Sequence, residues 1–175
     1  MFEEEKTKAM MLKTWILFAL TSAAASCASL EVSFLEIRNS KGEVIQLEPD
    51  FPYAHVVISL EGRVLHSHPR TGVVWTDLSD VNQFGTVKET MSVDSKEGMA
   101  QEIEQWIGRP YDSHFSWGND AFYCSELVAK VLGIPPEPMH FDPDLWPPKF
   151  LELEGEPGIS PGKIYRKIAG QDFSF

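Results

Sequence analysis

The stretch from Ala54 to Ser67 constrains the fold most. Ala54 to Leu60 (AHVVISL) is a short apolar run rich in β-branched residues, and Arg63 to Ser67 (RVLHS) repeats the character after Glu61-Gly62. Two such runs around a turn dipeptide read as a β-hairpin. A hairpin alone is marginal in water, so further strands or helices must cover it. Val32 to Ile37, Glu43 to Leu47 after the Lys41-Gly42 turn, and Val73 to Thr76 are candidates, giving residues 31–92 strand character.

Two helices are expected beyond this region. Lys96 to Ile107 places Met99, Ile103, Trp106 and Ile107 on one face, with Asp94 or Ser95 as cap and Gly108 and Pro110 as stop. Ala121 to Leu132 follows Asn119 or Asp120 as N-cap and ends at Gly133, Pro135 and Pro136. The proline-rich remainder reads as an ordered wrapping loop with short strands at Phe150 to Leu153 and Lys163 to Ile168. Strands first, then helices mixed with strands, predict an α+β domain on an antiparallel sheet. With 175 residues, 43% of them hydrophobic, one domain over residues 29–175 is the expectation.

Residues 1–28 read as a separate segment. Lys13, the apolar run Trp15 to Leu20 and the small residues through Ala28 outline a secretory signal, with cleavage after Ala28. The three glutamates before it are unusual there, and Met10 or Met11 is an alternative start. Cys27 after Ala24-Ala25-Ser26 loosely resembles a lipidation site, which would make the protein membrane-anchored. Otherwise export to the periplasm or outside is expected. The formal charge of −11 leaves no footprint for a nucleic-acid backbone.

Removal of residues 1–28 would leave Cys124 as the sole cysteine. The plain role for a free cysteine is a small buried apolar residue. Its position at a helix start suggests a second role. Helix N–H groups and the helix dipole lower a thiol pKa below about 8.5, and the same N–H groups can hold an oxyanion. The general base would be a histidine. His55 lies at the start of a strand, and His66 and His68 share a face of the returning one. One imidazole would take the thiol proton while another orients it. Such a transfer needs the Cys124 sulfur within about 3–4 Å of an imidazole nitrogen. His114 and His140 read as loop or surface residues.

Together, Trp106-Ile107-Gly108-Arg109-Pro110-Tyr111-Asp112, Phe115 and Phe122-Tyr123-Cys124-Ser125-Glu126-Leu127-Val128 resemble the signature of circularly permuted papain-like amidases. These form the YaeF/YiiX-like branch of the NlpC-type superfamily. The resemblance runs upstream through His55-Val56-Val57-Ile58 and Val64-Leu65-His66-Ser67, and covers most of residues 50–153. It implies a papain-like fold whose small antiparallel sheet packs on the helix bearing the nucleophile. Cys124 would be the nucleophile, His55 the base and His66 the third polar group, with His68 able to share that role. Relatives often carry a glutamate at the His66 position. Tyr123 and His68 would border the cleft, and Asp112 would fix the loop before the helix.

The implied reaction is hydrolysis of an amide through a Cys124 thioester, on a cell-wall peptide or an N-acyl amide, with no cofactor. The alternatives are acyltransfer to or from lipids, a non-catalytic binding protein, and a metal site of His55, His66, His68 and Cys124. No H-E-x-x-H or C-x-x-C pattern favours the last.

Overall fold

A computed structural model describes residues 29–95 and 98–170. The proposed signal and Cys27 lie outside the described residues. Among these, no helix is long and apolar enough to cross a membrane. The strands are β1 (Ser29–Glu36), β2 (Tyr53–Leu60), β3 (Arg63–His68), β4 (Gly72–Thr76) and β5 (Thr86–Asp94), with short β6 (Glu137–Pro138) and β7 (Pro157–Gly158). The helices are α1 (Leu78–Val81), α2 (Met99–Trp106), α3 (Cys124–Leu132), α4 (Pro148–Leu151) and α5 (Pro161–Gly170). The first five strands form one antiparallel sheet in the order β4-β3-β2-β1-β5. The expected α+β class is observed.

The hairpin turns where the sequence places it. Glu61 (φ 51°) and Gly62 (φ 80°) both take left-handed backbone, as a two-residue hairpin loop of the primed type requires. Glu43 to Leu47 forms no strand; only an isolated bridge joins Val44 to Arg38. β5 continues the strand region beyond the candidates named from the sequence, because its alternation of half-buried and exposed residues carries little apolar contrast.

Both faces of the sheet are covered. Val32, Phe34, Val56, Ile58 and Leu65 pack against Leu127, Val128 and Val131 of α3 and Ile164 and Ile168 of α5. Leu35, Val57 and Val64 form a smaller cluster on the other face, with Val81 of α1 and with Phe84. Each fully buried aliphatic side chain contributes about 1.5–3 kcal/mol. These clusters therefore fix which face each strand residue takes.

Two expected strands are helical. Lys163 to Ile168 lies within α5, where Ile164 and Ile168 sit one turn apart and face the core. Ser160 caps the start by accepting the Lys163 N–H at 3.1 Å, and Pro161 suits the first turn. Phe150 and Leu151 belong to α4, begun by Pro148, and the turns after it accommodate Glu152 and Leu153. In both cases, proline in the first turn set a helix that local apolar spacing did not reveal.

Gly72 explains how the α2–α3 connection docks on β4. A side chain there would strike the Arg109 carbonyl. The close approach lets Val73 donate to Arg109 O and accept from the Gly108 N–H, both at 2.9 Å.

Candidate active site

Cys124 is the first residue of α3. Tyr123, rather than Asn119 or Asp120, is the N-cap residue, and no side chain caps this end. The earlier polar residues are used in the preceding loop instead. Asn119 Oδ1 accepts the Ala121 N–H at 2.9 Å, and Asn119 Nδ2 donates to Asp112 at 2.9 Å. Asp112 is buried and also accepts the N–H groups of His114 and Ser116, each at 2.8 Å. This carboxylate therefore organises the loop that delivers Cys124, as the sequence suggested.

Glu126 is fully buried in the first turn of α3. One oxygen meets Lys130 at 2.8 Å and the Gly118 N–H at 3.3 Å, while the other has no partner. Burial pushes its carboxyl up, opposed by Lys130.

Cys124 lies on the floor of a cavity of about 500 Å³. Its wall is largely apolar, including Ile37, Leu47, Phe115, Met139, Phe141 and Trp146. Tyr111 and Tyr123 line it beside the cysteine. Tyr123 thus occupies the cleft, as expected, and its hydroxyl accepts the Ile159 N–H at 3.1 Å. Ser125 Oγ donates to Ile159 O at 2.8 Å. The residues on either side of the cysteine therefore grip one residue, Ile159, by its N–H and its carbonyl. His140 also borders the cavity, as an exposed residue whose Nδ1 is 2.7 Å from Glu154.

The three strand histidines form one cluster. His55 Nε2 and His66 Nδ1 are 3.3 Å apart, and both residues are buried. His68 stacks on His66 with centroids 5.8 Å apart, and Phe84 contacts all three rings. The pairing of His55 with His66 that the hairpin implied is present. Burial, reinforced by the neighbouring imidazoles, pushes His55 down to about 3 and His66 down to about 4.

The expected approach of thiol to imidazole is not made. Alternation along β2 places Val56 and Ile58 on the face covered by α3, with Cys124, and His55 and Val57 on the other. Among the described residues no hydrogen bond joins Cys124 to His55, and His55 does not line the cavity. The sulfur nevertheless reaches the adjacent backbone. The β2–β3 register runs only from Ile58↔Leu65 to Leu60↔Arg63, so the ladder is open at Val56 and Ser67. The Val56 N–H there lies close enough to the sulfur to favour its thiolate form. Ser67 Oγ turns to Phe122 O at 2.6 Å, closing the strand onto the α3 approach.

The expected fall in thiol pKa is also reversed. Burial pushes the Cys124 thiol up and outweighs the N–H groups of Val56, Ser125 and Cys124 that favour the thiolate. A helix N-terminus lowers a thiol pKa when the sulfur stays solvated, and this one is 6% exposed. Thiol and imidazoles are thus both neutral in this resting arrangement. No three His, Cys, Asp or Glu side chains among the described residues converge as a metal ion would need. The sheet itself separates Cys124 from the histidines.

Fold and site together define an α+β domain in which a helix-terminal thiol opens into an apolar cavity. One curated relative, the uncharacterized protein YiiX of Escherichia coli (strain K12), is 30% identical over 111 residues. The match takes in 58% of this chain and 55% of YiiX, so the chain spans about half the length of the curated relative it matches. No protein-family model matches the chain. No solved structure matches it either.

Proposed function

We propose that this chain is a cysteine acyl hydrolase that cleaves an N-acyl amide, with Cys124 as nucleophile and the acyl chain in the apolar cavity. The observation that carries the reading is the sulfur at the first turn of α3, facing the cavity with the Val56 and Ser125 N–H groups directed at it. The same donors would hold the oxyanion formed when sulfur attacks a carbonyl. An apolar wall favours a hydrocarbon acyl group over a polar cell-wall peptide.

In the reaction, sulfur bonds the carbonyl carbon and the thiol proton passes to an imidazole. The C–N bond then breaks, and the imidazole returns that proton to the leaving amine. Water adds to the thioester, the imidazole takes one of its protons and gives it to the departing sulfur, and the carboxylic acid leaves. The net change is amide plus water to acid plus amine. His55 is the proposed base because it neighbours Val56 at the open ladder. Because thiol and imidazole lie on opposite faces of β2, proton transfer requires a relay through the open ladder beside Val56 or a rearrangement of that strand end on substrate binding, and catalytic contacts commonly tighten only with substrate bound. Acyltransfer follows if an amine or alcohol replaces water.

A second reading, binding of an acyl chain without turnover, is favoured by the opposite facing of thiol and imidazole. A fluorogenic N-decanoyl amide separates the two. Turnover should fall by ~10²-fold or more in Cys124→Ala and in His55→Ala, and intact mass spectrometry of quenched wild type should show the acyl group on Cys124. Equal turnover by wild type and Cys124→Ala would overturn the nucleophile. Retention of the amide with neither turnover nor adduct would establish the binding reading instead.

A further inference from the structure

We infer that the substrate's leaving group carries a carboxylate, so that the ligand is an N-acyl amino acid, and that Arg166 and Ser160 hold this carboxylate. This rests on the acyl-hydrolase reading for its reaction, but the binding step stands on separate residues. Glu48, Ser160 and Arg166 all line the cavity that contains Cys124. The Glu48 carboxylate currently occupies the position. Ser160 Oγ donates to Oε1, and Arg166 Nη2 lies 2.5 Å from Oε2. Gly162 leaves the space, since a side chain there would collide with the same carboxylate. The wall at this point is therefore shaped for a carboxylate, and an internal one shows the fit.

The carboxylate position and the nucleophile share one cavity. Ser160 follows Ile159, whose N–H and carbonyl are held by Tyr123 and Ser125 on either side of Cys124, so the two places belong to adjoining walls. In an N-acyl α-amino acid a single tetrahedral carbon separates the amide nitrogen from the carboxylate, and a short head group of that kind would reach from one wall to the other.

Glu48 can be displaced. Arg166 is 54% exposed against 19% for Glu48, and an ion pair with a solvated partner adds little to stability. A ligand carboxylate makes the same contacts and adds burial of its hydrocarbon tail. Glu48 would then move to solvent. It lies on the segment that supplies Ile37, Ile45, Leu47 and Pro49 to the cavity wall, so entry of the head group is coupled to that wall. In a chain of charge −11, a local guanidinium also selects where an anion can dock.

The test uses full-length Cys124→Ala, which removes turnover from the measurement, and isothermal titration with N-decanoylglycine and its methyl ester. The acid should bind ~10-fold or more tightly than the ester, as loss of a bidentate charge-assisted contact implies. Arg166→Gln should abolish the preference. Glu48→Gln should strengthen acid binding several-fold and leave the ester unchanged, because the internal competitor loses its charge. Equal affinities for acid and ester would overturn the inference while leaving the acyl cavity intact. So would acid binding indifferent to Glu48→Gln, which remains informative if Arg166→Gln fails to fold. Absence of binding by both ligands would remove the acyl cavity as well. A preserved acid preference with no hydrolysis by wild type would overturn the hydrolase and keep the carboxylate site.

Discussion

Between pH 6.5 and pH 5 the unfolding free energy should fall by roughly 2–4 kcal/mol, at up to about 1.4 kcal/mol per pH unit for each of two histidines. His55 and His66 are neutral in the folded chain, held at about 3 and about 4 chiefly by burial. In the unfolded chain each returns to about 6.5. Below that value the unfolded state binds protons that the folded state refuses, so stability drops with falling pH. The loss is complete only once pH passes below the folded values. Free carboxylates titrate mostly below this interval, while Glu126, whose carboxyl burial pushes up, works against the fall. Urea melts at pH 7.5, 6.5, 5.5 and 5.0 provide the measurement. His55→Asn should reduce the slope by about one proton. A stability constant from pH 7.5 to 5 would show that the imidazoles are not buried as a neutral pair.

Asp112→Ala should destabilise the chain by about 3–5 kcal/mol. It removes a buried acceptor of three hydrogen bonds and leaves the His114 and Ser116 N–H groups without it. At this chain length each kcal/mol moves the melting temperature by about 2–4 °C, so a fall on the order of 10 °C is expected. Asp112→Asn keeps one acceptor oxygen and should lose roughly half as much. The loop ahead of Cys124 would loosen before the sheet does. Iodoacetamide should therefore label Cys124 faster in Asp112→Ala than in wild type at the same pH and temperature, below either melting point. A melting temperature within 2 °C of wild type, with unchanged labelling, would show that Asp112 does not hold this loop.

The reactive order of the thiol also follows from burial. Cys124 should alkylate slowly at pH 6 and accelerate only well into the alkaline range. A helix start alone would have suggested the opposite. The positive end of a helix is a short-range influence, whereas desolvation acts on the whole charge of a thiolate at a largely apolar cavity wall.

What local sequence determined is specific. The β-branched runs around Glu61-Gly62 set the hairpin, since those two residues accept the left-handed backbone the turn needs. That hairpin placed His55 near His66, and strand period put His66 and His68 on one face. Gly133 stopped α3, whereas the start read near Ala121 lies three residues before the observed one at Cys124. The role of Asp112 in the loop came from the family resemblance rather than from residue pattern, and its three hydrogen bonds account for it.

Only the tertiary structure decided which side of the sheet each group would face. Val56 and Ile58 are buried on one face of β2 and Val57 on the other. With apolar residues on both sides, alternation says that His55 accompanies Val57 but not which face α3 will cover. The helix chose the Val56 side, and that choice put the sheet between Cys124 and the imidazoles. The same long-range packing opened the ladder beside Val56 and assembled the cavity from segments as distant as Leu47 and Trp146, joined by a 2.8 Å hydrogen bond from the indole. Local residue pattern contains no information on such contacts, because they arise only when separate elements compete to bury one another's apolar faces.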